Sequence, residues 1–346
     1  MKNSMLKNKT LKIITIGGAT QDVFFETDKA VMIDNSEDLI RQKLIGFEYG
    51  AKINIPTAHF CFGGGASNSA VTLSRLGAKV TSFIAVGNDK IGQAICNNLI
   101  LEKVNIFNLE FSKKSSGFSC AIVYGRKTKD HVLFTYRGAN EDLQIDSSNI
   151  NQIEKIKPDW IYLSSLSGKK WLGVLNKLVA LAFKNNIKLA WNPGNFQIKT
   201  GLNNLKSFLN KTEVLILNKD EARILVLSDK KYSKEKVRLN DVRFLLKVLK
   251  GWGPNIIVIT QGSKGASIYE GRKFYHLPAF KVKMLNATGA GDAFGASFIA
   301  GLILYNYDIE KSLKLAIVNS AYVTTKVGAQ NGLLTRKEAE KKMGCK

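Results

Sequence analysis

Cysteine, proline and histidine are scarce in this chain of 346 residues, at four, five and three. Each scarcity excludes something. Cys61, Cys96, Cys120 and Cys345 stand far apart with no C-x-x-C pair, so neither a disulfide framework nor a thiolate metal site is indicated. They read as reduced thiols of a cytosolic protein. So few prolines, with no Ser/Pro-rich or Gln-rich tract and no internal repeat, leave no obvious linker and no solenoid signature. Long hydrophobic runs are missing too. The longest apolar helical stretch, Ala293 to Tyr305, is shorter than a membrane span. Ile13 to Ile16, behind a basic N-terminus, is too short for a signal peptide and runs straight into Gly17-Gly18. A cytoplasmic protein without a membrane partner is the expectation. Acidic residues are also under-represented, 28 against 51 Lys and Arg, for a formal charge of +23. The lysines are scattered, and their densest stretch, Lys230 to Lys236, is broken by Glu235 and polar residues. There is no aromatic-rich basic strand, so no specific nucleic-acid partner is expected; a basic surface would instead favour a small anionic substrate.

What the chain does have is a 45% hydrophobic content, enough for one large compact body. Short β-branched runs alternate with longer helical patterns, the signature of an α/β sandwich around a mainly parallel sheet. Strands are expected at Lys12 to Ile16, Val80 to Val86, Trp160 to Leu163, Lys188 to Trp191, Val214 to Leu217 and Ile256 to Thr260. Helices are expected at Ser67 to Leu76, Ile91 to Leu101, Trp171 to Lys184, Lys219 to Leu227, Asp241 to Leu249 and Ala290 to Leu304. Two stretches interrupt the alternation, Asp22 to Pro56 and about Phe107 to Asn140. Within them Val31 to Ile33, Lys52 to Ile55, Ser119 to Val123 and Val132 to Tyr136 suggest a small separate sheet. Such a sheet over a crevice would act as a lid that excludes water.

The strongest local signal is Asn286-Ala-Thr-Gly-Ala-Gly-Asp292, which opens a strongly apolar helix. Glycines permit a tight turn, and the unpaired N–H groups of a first helical turn favour an anion. Asp292 in that place is either part of an anion site or an ordinary N-terminal helix charge. A second cluster, Gly63-Gly64-Gly65-Ala-Ser-Asn68, precedes another helix and suits a polyol, or is simply a glycine turn with a helix cap. It is neither a Walker loop nor a G-x-G-x-x-G dinucleotide site. Asn218-Lys-Asp-Glu221 reads equally as a helix start with an acidic first turn.

Taken together, in this order and separation, these segments resemble the ribokinase-like (PfkB) family of carbohydrate and nucleoside kinases. The resemblance rests on Gly63 to Ala70 with Leu76-Gly77, on Asn218 to Glu221, on Ile259-Thr-Gln-Gly-Ser-Lys-Gly265 and on Asn286 to Phe294. It implies an α/β three-layer sandwich spanning residues 11–334, with lid segments at about 22–56 and 107–140 and terminal extensions at 1–10 and 335–346. It implies transfer of the γ-phosphoryl group of ATP to a sugar hydroxyl, with a nucleoside, then a sugar phosphate, as alternative acceptors. A catalytically silent metabolite binder is the reading from another class.

The resemblance also assigns roles. Asp292 would be the general base, and the N–H groups of Gly289, Ala290 and Gly291 the anion hole. Asp22, Gly64, Gly65, Asn68 and Asn192 would bind the acceptor, and Arg137 could meet a charged acceptor group. Asn218, Thr260, Gly262, Gly265, Thr288, Gly328 and Ala329 would bind the nucleotide, and Glu221 would serve magnesium through water. Most relatives carry aspartate where this chain has Asn286, so activation by a monovalent cation is left open. A homodimer through the edges of the lid sheet is the expected mode of assembly, if there is one.

Overall fold

The computed structural model describes residues 11–35, 43–107, 111–124, 131–232 and 238–344. The expected extension 1–10, parts of both lid segments, Lys234 to Lys236 and Cys345 lie outside them. In chain order the elements are β1 (Lys12–Ile16), β2 (Thr20–Thr27), β3 (Val31–Asp34), β4 (Lys43–Gly46), β5 (Thr57–Gly63), α1 (Gly65–Arg75), β6 (Lys79–Phe83), α2 (Lys90–Leu101), β7 (Asn105–Phe107), β8 (Phe118–Tyr124) and β9 (His131–Tyr136). There follow α3 (Ser147–Ile156), β10 (Trp160–Leu163), α4 (Trp171–Lys184), β11 (Lys188–Trp191), α5 (Asn195–Lys199), α6 (Leu202–Leu209), β12 (Val214–Asn218), α7 (Lys219–Leu227) and α8 (Val242–Gly251). The chain ends with β13 (Ile256–Thr260), β14 (Ala266–Tyr269), β15 (Phe274–Leu277), α9 (Ala290–Leu304), α10 (Ile309–Val323) and α11 (Arg336–Lys342).

Among the described residues nine strands form the main sheet, in the order β15-β14-β13-β12-β11-β10-β1-β6-β7. All pairings from β7 to β13 are parallel, and β14 and β15 add an antiparallel edge. Side chains alternate across each strand. Trp160, Tyr162, Val214, Ile216, Ile256 and Val258 therefore face one core, with Leu73 of α1, Leu99 of α2, Phe298 of α9 and Leu313 of α10. Ile161, Leu163, Leu215, Leu217, Ile257 and Ile259 face the other, with Leu178 of α4, Leu205 of α6, Leu225 of α7 and Leu249 of α8. Because both faces are covered, the central strands are apolar throughout. The three-layer sandwich is as expected. Residues 335–344, taken from sequence as an extension, put Ala339 and Met343 into the first core.

The lid is a sheet of order β5-β2-β8-β9, in which β2 runs antiparallel to β5 and parallel to β8. Two expectations need correction. Lys52 to Ile55 is not a strand, and among the described residues Val31–Asp34 pairs only with β4, in a separate two-stranded sheet. The lid strands at the two ends of the first segment are instead β2 and β5, and β5 runs directly into the Gly63 to Gly65 cluster. One strand of the main sheet is also shorter than expected, because the chain leaves it at Phe83. No helix of the described residues is long and apolar enough to cross a membrane. The apolar character of α9 has another cause: from Ala293 to Leu302 it is buried all round at the centre of one helical layer.

Candidate active site

In an open parallel sheet the carboxyl ends of the strands face one crevice, and connecting loops there carry chemistry. β1, β10, β11, β12 and β13 end at Ile16, Leu163, Trp191, Asn218 and Thr260, so the loops beginning at Gly17, Ser164, Asn192 and Gln261 and the start of α7 at Lys219 share this edge. The lid descends from β1 through β2, and α1 and α9 bring their N-termini to it.

α9 begins at a turn whose geometry only glycine meets without strain. Gly289 has φ of 79°, and a Cβ there would stand 2.5 Å from the Ala329 Cβ. The Ala290 N–H donates to the Ala287 carbonyl at 3.3 Å. The N–H groups of Gly289, Gly291 and Asp292 have no acceptor among the described residues, and a Cβ on Gly291 would meet only open space. Unspent donors at a helix N-terminus, beside open space, form an anion cradle. Thr288 closes the turn by donating its N–H to the Asn286 side-chain oxygen at 2.7 Å. Asn286 thus spends its oxygen within the turn.

Asp292 stands on the first turn of α9, half-buried. Its Oδ2 accepts from the Asn68 amide at 2.8 Å, and a Cβ on Gly65 would stand 3.5 Å from its Oδ1. Burial holds the Asp292 carboxyl above the ordinary aspartate range; the Asn68 hydrogen bond opposes this and the negative charge of Asp22 adds to it. Gly64, the N-cap of α1 with φ of 92°, lies so close to the Gly18-Ala19 backbone that a Cβ would be 2.5 Å from it. That close approach brings α1 against the loop leading into the lid.

Asp22 lies on β2, facing the body. Strand register places Ser119 of β8 directly beside it, and the hydroxyls of Ser119 and Thr20 donate to its Oδ1 at 2.7 and 3.0 Å. Burial raises its pKa, and those two hydrogen bonds pull it back down. Asn68 is buried beneath, with its Oδ1 accepting from Gln330 at 3.1 Å. Asn192 ties the strand ends together, donating its N–H to Leu163 and its amide to the Ile216 carbonyl. Arg137 is exposed, and its guanidinium donates to Ser167 at 2.9 Å.

On the other side, Asn218 and Glu221 form a reciprocal cap at the start of α7. Asn218 Oδ1 accepts from the Glu221 N–H at 2.8 Å, and Glu221 Oε2 accepts from the Asn218 N–H at 2.9 Å. The helix-start arrangement is therefore present. The second carboxylate oxygen of Glu221 accepts no hydrogen bond from the described residues. Burial raises the Glu221 pKa, with smaller contributions from the charges of Asp220 and Asp292. Thr260 pairs with Asn218 across the sheet, and Gly262 and Gly265 close the next turn through a 3.0 Å bond. Gly328 and Ala329 are buried, and Ala329 packs on Gly289. No group of three or more His, Cys, Asp or Glu among the described residues could hold a metal by itself.

Four participants carried no legible assignment in the sequence. Ser119 and Thr20 are unremarkable strand residues. Gln330 lay in a recognised glycine segment with no role, and Asn140 pins the Ala19 backbone by bonds of 2.8 and 2.9 Å.

A helix-terminus anion cradle with a carboxylate beside it, under a small lid, characterises a phosphotransferase that acts on a hydroxyl group. The description "pfkB family carbohydrate kinase" matches residues 28–336, and the chain belongs to that family. It is similar to a ribokinase of Haemophilus influenzae, 26% identical over 284 residues that make up 80% of this chain and 85% of that one. Its fold is that of an Arabidopsis thaliana ribokinase complexed with ribose and ATP, with a TM-score of 0.74, 16% identity and coverage of 97% and 99% of the two chains. It is likewise that of a Burkholderia thailandensis nucleoside kinase in complex with inosine, with a TM-score of 0.73, 15% identity and coverage of 96% and 97%.

Proposed function

We propose that this kinase transfers the γ-phosphoryl group of ATP to a hydroxyl of a small sugar, with Asp292 as the general base. The observation that carries this reading is the convergence at the head of α9. One turn supplies unspent N–H donors for the transferring phosphoryl group, and the same turn carries a carboxylate with one oxygen unbonded. Asp22, hydrogen-bonded on the lid strand above, supplies a second carboxylate to hold acceptor hydroxyls. Asp292 would accept the proton as the acceptor oxygen attacks, and the N–H groups would hold the charge that builds on the equatorial phosphoryl oxygens. Descent of the lid would exclude water from the transfer.

The kinases of this family use ATP with magnesium, and the residues present fit that ion. A cation held chiefly by phosphates and waters needs only one or two carboxylates from the protein. The unbonded oxygen of Glu221 would meet this need, holding the ion through water near the ATP phosphates. Asn218, Thr260, Gly262, Gly265, Thr288, Gly328 and Ala329 would line the nucleotide. Lid-to-lid assembly into a homodimer is supported by edge strand β9, where Leu133 and Phe134 are 52% and 57% exposed.

The test is ADP release from ATP and magnesium against pentoses, hexoses, their phosphates and nucleosides. Turnover on a free sugar is expected. Turnover on nucleosides alone would move the acceptor to that class, and turnover on none of them would overturn the kinase reading.

A further inference from the structure

Asp292 is not held by a single contact but by the end of a chain of amides that runs through the fold. Asn98 of α2 donates its amide to Gln330 Oε1 at 2.9 Å. Gln330 Nε2 donates to Ser67 Oγ at 3.0 Å and to Asn68 Oδ1 at 3.1 Å, and Asn68 Nδ2 donates to Asp292 Oδ2 at 2.8 Å. The direction of the chain is fixed by its end. An ionised carboxylate only accepts, so Asn68 must turn its NH₂ to Asp292 and its oxygen to a donor; Gln330 supplies that donor and must then turn its own oxygen to Asn98. Gln330 and Asn68 are 5% and 4% exposed, so water is poorly placed to substitute for a lost partner. The Gln330 backbone is fixed as well. Arg75, paired through two nitrogens with Glu102 at 2.6 and 2.8 Å, donates to the carbonyls of Gln330 and Leu333 at 3.1 and 2.8 Å.

We propose that Gln330 is a positioning residue for phosphoryl transfer: it holds the Asn68 amide in the one orientation that donates to Asp292, leaving Asp292 Oδ1 directed at the acceptor hydroxyl. This rests on the reading of Asp292 as the base. It also gives Asn68 work beyond contact with the acceptor. Because the adjacent residue Ala329 packs on Gly289, one short segment braces both the anion cradle and the base.

The consequence is a pH signature. The Asn68 bond favours ionised Asp292, so losing it raises the pKa of the base and removes activity first at low pH. The titratable groups facing Asp292 are Asp22 on β2, Tyr162 on β10 and Glu221 on α7. Among the described residues none is hydrogen-bonded to Gln330, so the ratio of variant to wild type at each pH removes the titration they share.

The experiment compares Gln330→Glu, Gln330→Met and Asn98→Leu with wild type and with Asp292→Asn, measuring kcat and KM from mildly acidic to alkaline pH. Gln330→Glu keeps the shape but sets a carboxylate against Asn68 Oδ1, which drives that amide to turn over and face Asp292 with its oxygen. Its kcat is expected to fall by about tenfold or more near neutral pH, the worth of one charge-assisted hydrogen bond. The KM for ATP should hardly move, and the deficit should shrink as pH rises. Gln330→Met should show a smaller shift in the same direction. Asn98→Leu, at a half-buried position, should do so with the fold intact. Losses equal at every pH, or wild-type turnover in both Gln330 variants, would overturn the proposal. If Asp292→Asn retained turnover, the base assignment itself would fail; an inactive Asp292→Asn beside unperturbed Gln330 variants would sink this inference alone.

Discussion

Replacing Asp292 by asparagine separates the two parts that the proposed function gives that residue. Asparagine keeps the size and an oxygen for the Asn68 amide, which now donates at 2.8 Å to a carboxylate, so the head of α9 and its N–H groups should stay in place. What is lost is the proton acceptor. A positioned general base contributes about 10² to 10⁴ in rate, or about 2.7 to 5.5 kcal/mol of barrier. The expected outcome is a fall in kcat of at least about 10² with ATP affinity nearly unchanged. Coupled ADP-release kinetics and calorimetric titration with ATP measure the two quantities. The same substitution should leave the fold as stable or more stable, with a definite pH dependence. The Asp292 pKa is raised above 3.8 in the folded protein, chiefly by burial. Its protonated form therefore favours the folded state below the ordinary value, and that stability is lost as pH rises through the raised folded value. Asparagine has nothing to lose, so its melting temperature should draw level with or pass that of wild type as pH rises. Near-normal turnover would refute the base assignment. A variant that lost ground in melting temperature from acid to neutral pH would refute the electrostatic reasoning.

At the cradle, Gly289→Ala forces a φ of 79° on a side chain and sets its Cβ 2.5 Å from Ala329; it should cost at least about 1–2 kcal/mol of stability, read by melting temperature, along with turnover. Gly291→Ala enters open space, so it should melt like wild type and instead raise the KM for ATP or lower kcat. Asp22→Asn keeps an oxygen for the Ser119 and Thr20 hydroxyls but removes the negative charge offered to the acceptor, and should raise the acceptor KM while leaving that for ATP alone. Asn286 already spends its oxygen on the Thr288 N–H, so exchanging potassium for sodium should change turnover little; a large drop would show that an activating cation site survives without the aspartate.

Periodicity made the body of the fold legible. The central strands from β10 to β13 are short, apolar on both faces and flanked by amphipathic helices, so pattern alone located them. The lid was harder, because its strands are half-exposed and their pairing is set by partners remote in sequence. Nothing local in Lys52 to Ile55 distinguishes its alternation from a strand, whereas β2 carries polar Thr20, Gln21 and Asp22 at its start and gives no clear strand signal there. α11 did have a local signal, the Thr335-Arg-Lys-Glu338 capping box, whose bonds of 2.8 and 2.7 Å hold its first turn. At the site, residue type and spacing were enough to suggest Asp292 and the glycine turn. They could not show that the Asn218 to Glu221 helix start stands near Asp292, or that Asn68 faces Asp292. Those facts depend on rotamers and on contacts such as Asn68 to Gln330, separated by 262 positions.

The electrostatics of the cleft run against the composition of the chain. The protein carries a formal charge of +23, yet Asp22, Glu221 and Asp292 form no ion pair with a Lys or Arg among the described residues. Burial is the first cause of the raised pKa of each. Asp22 adds to the shift of Asp292, and Asp292 to that of Glu221. A basic residue beside Asp292 would lower its pKa and relieve the strain of burying charge, but it would also weaken the base. On the proposed reading the positive potential for an anion would come instead from N–H groups at the head of α9, which would attract a phosphoryl group through fixed dipoles and form no ion pair with the carboxylate. On that reading the arrangement would keep Asp292 basic at a cost in stability to the unliganded protein, and its counterweights among the described residues are neutral hydrogen bonds: Asn68 on Asp292, Ser119 and Thr20 on Asp22, and the Asn218 N–H on Glu221. The orientation of single amides, for which Gln330 and Asn98 are proposed, would on that reading bear directly on catalysis.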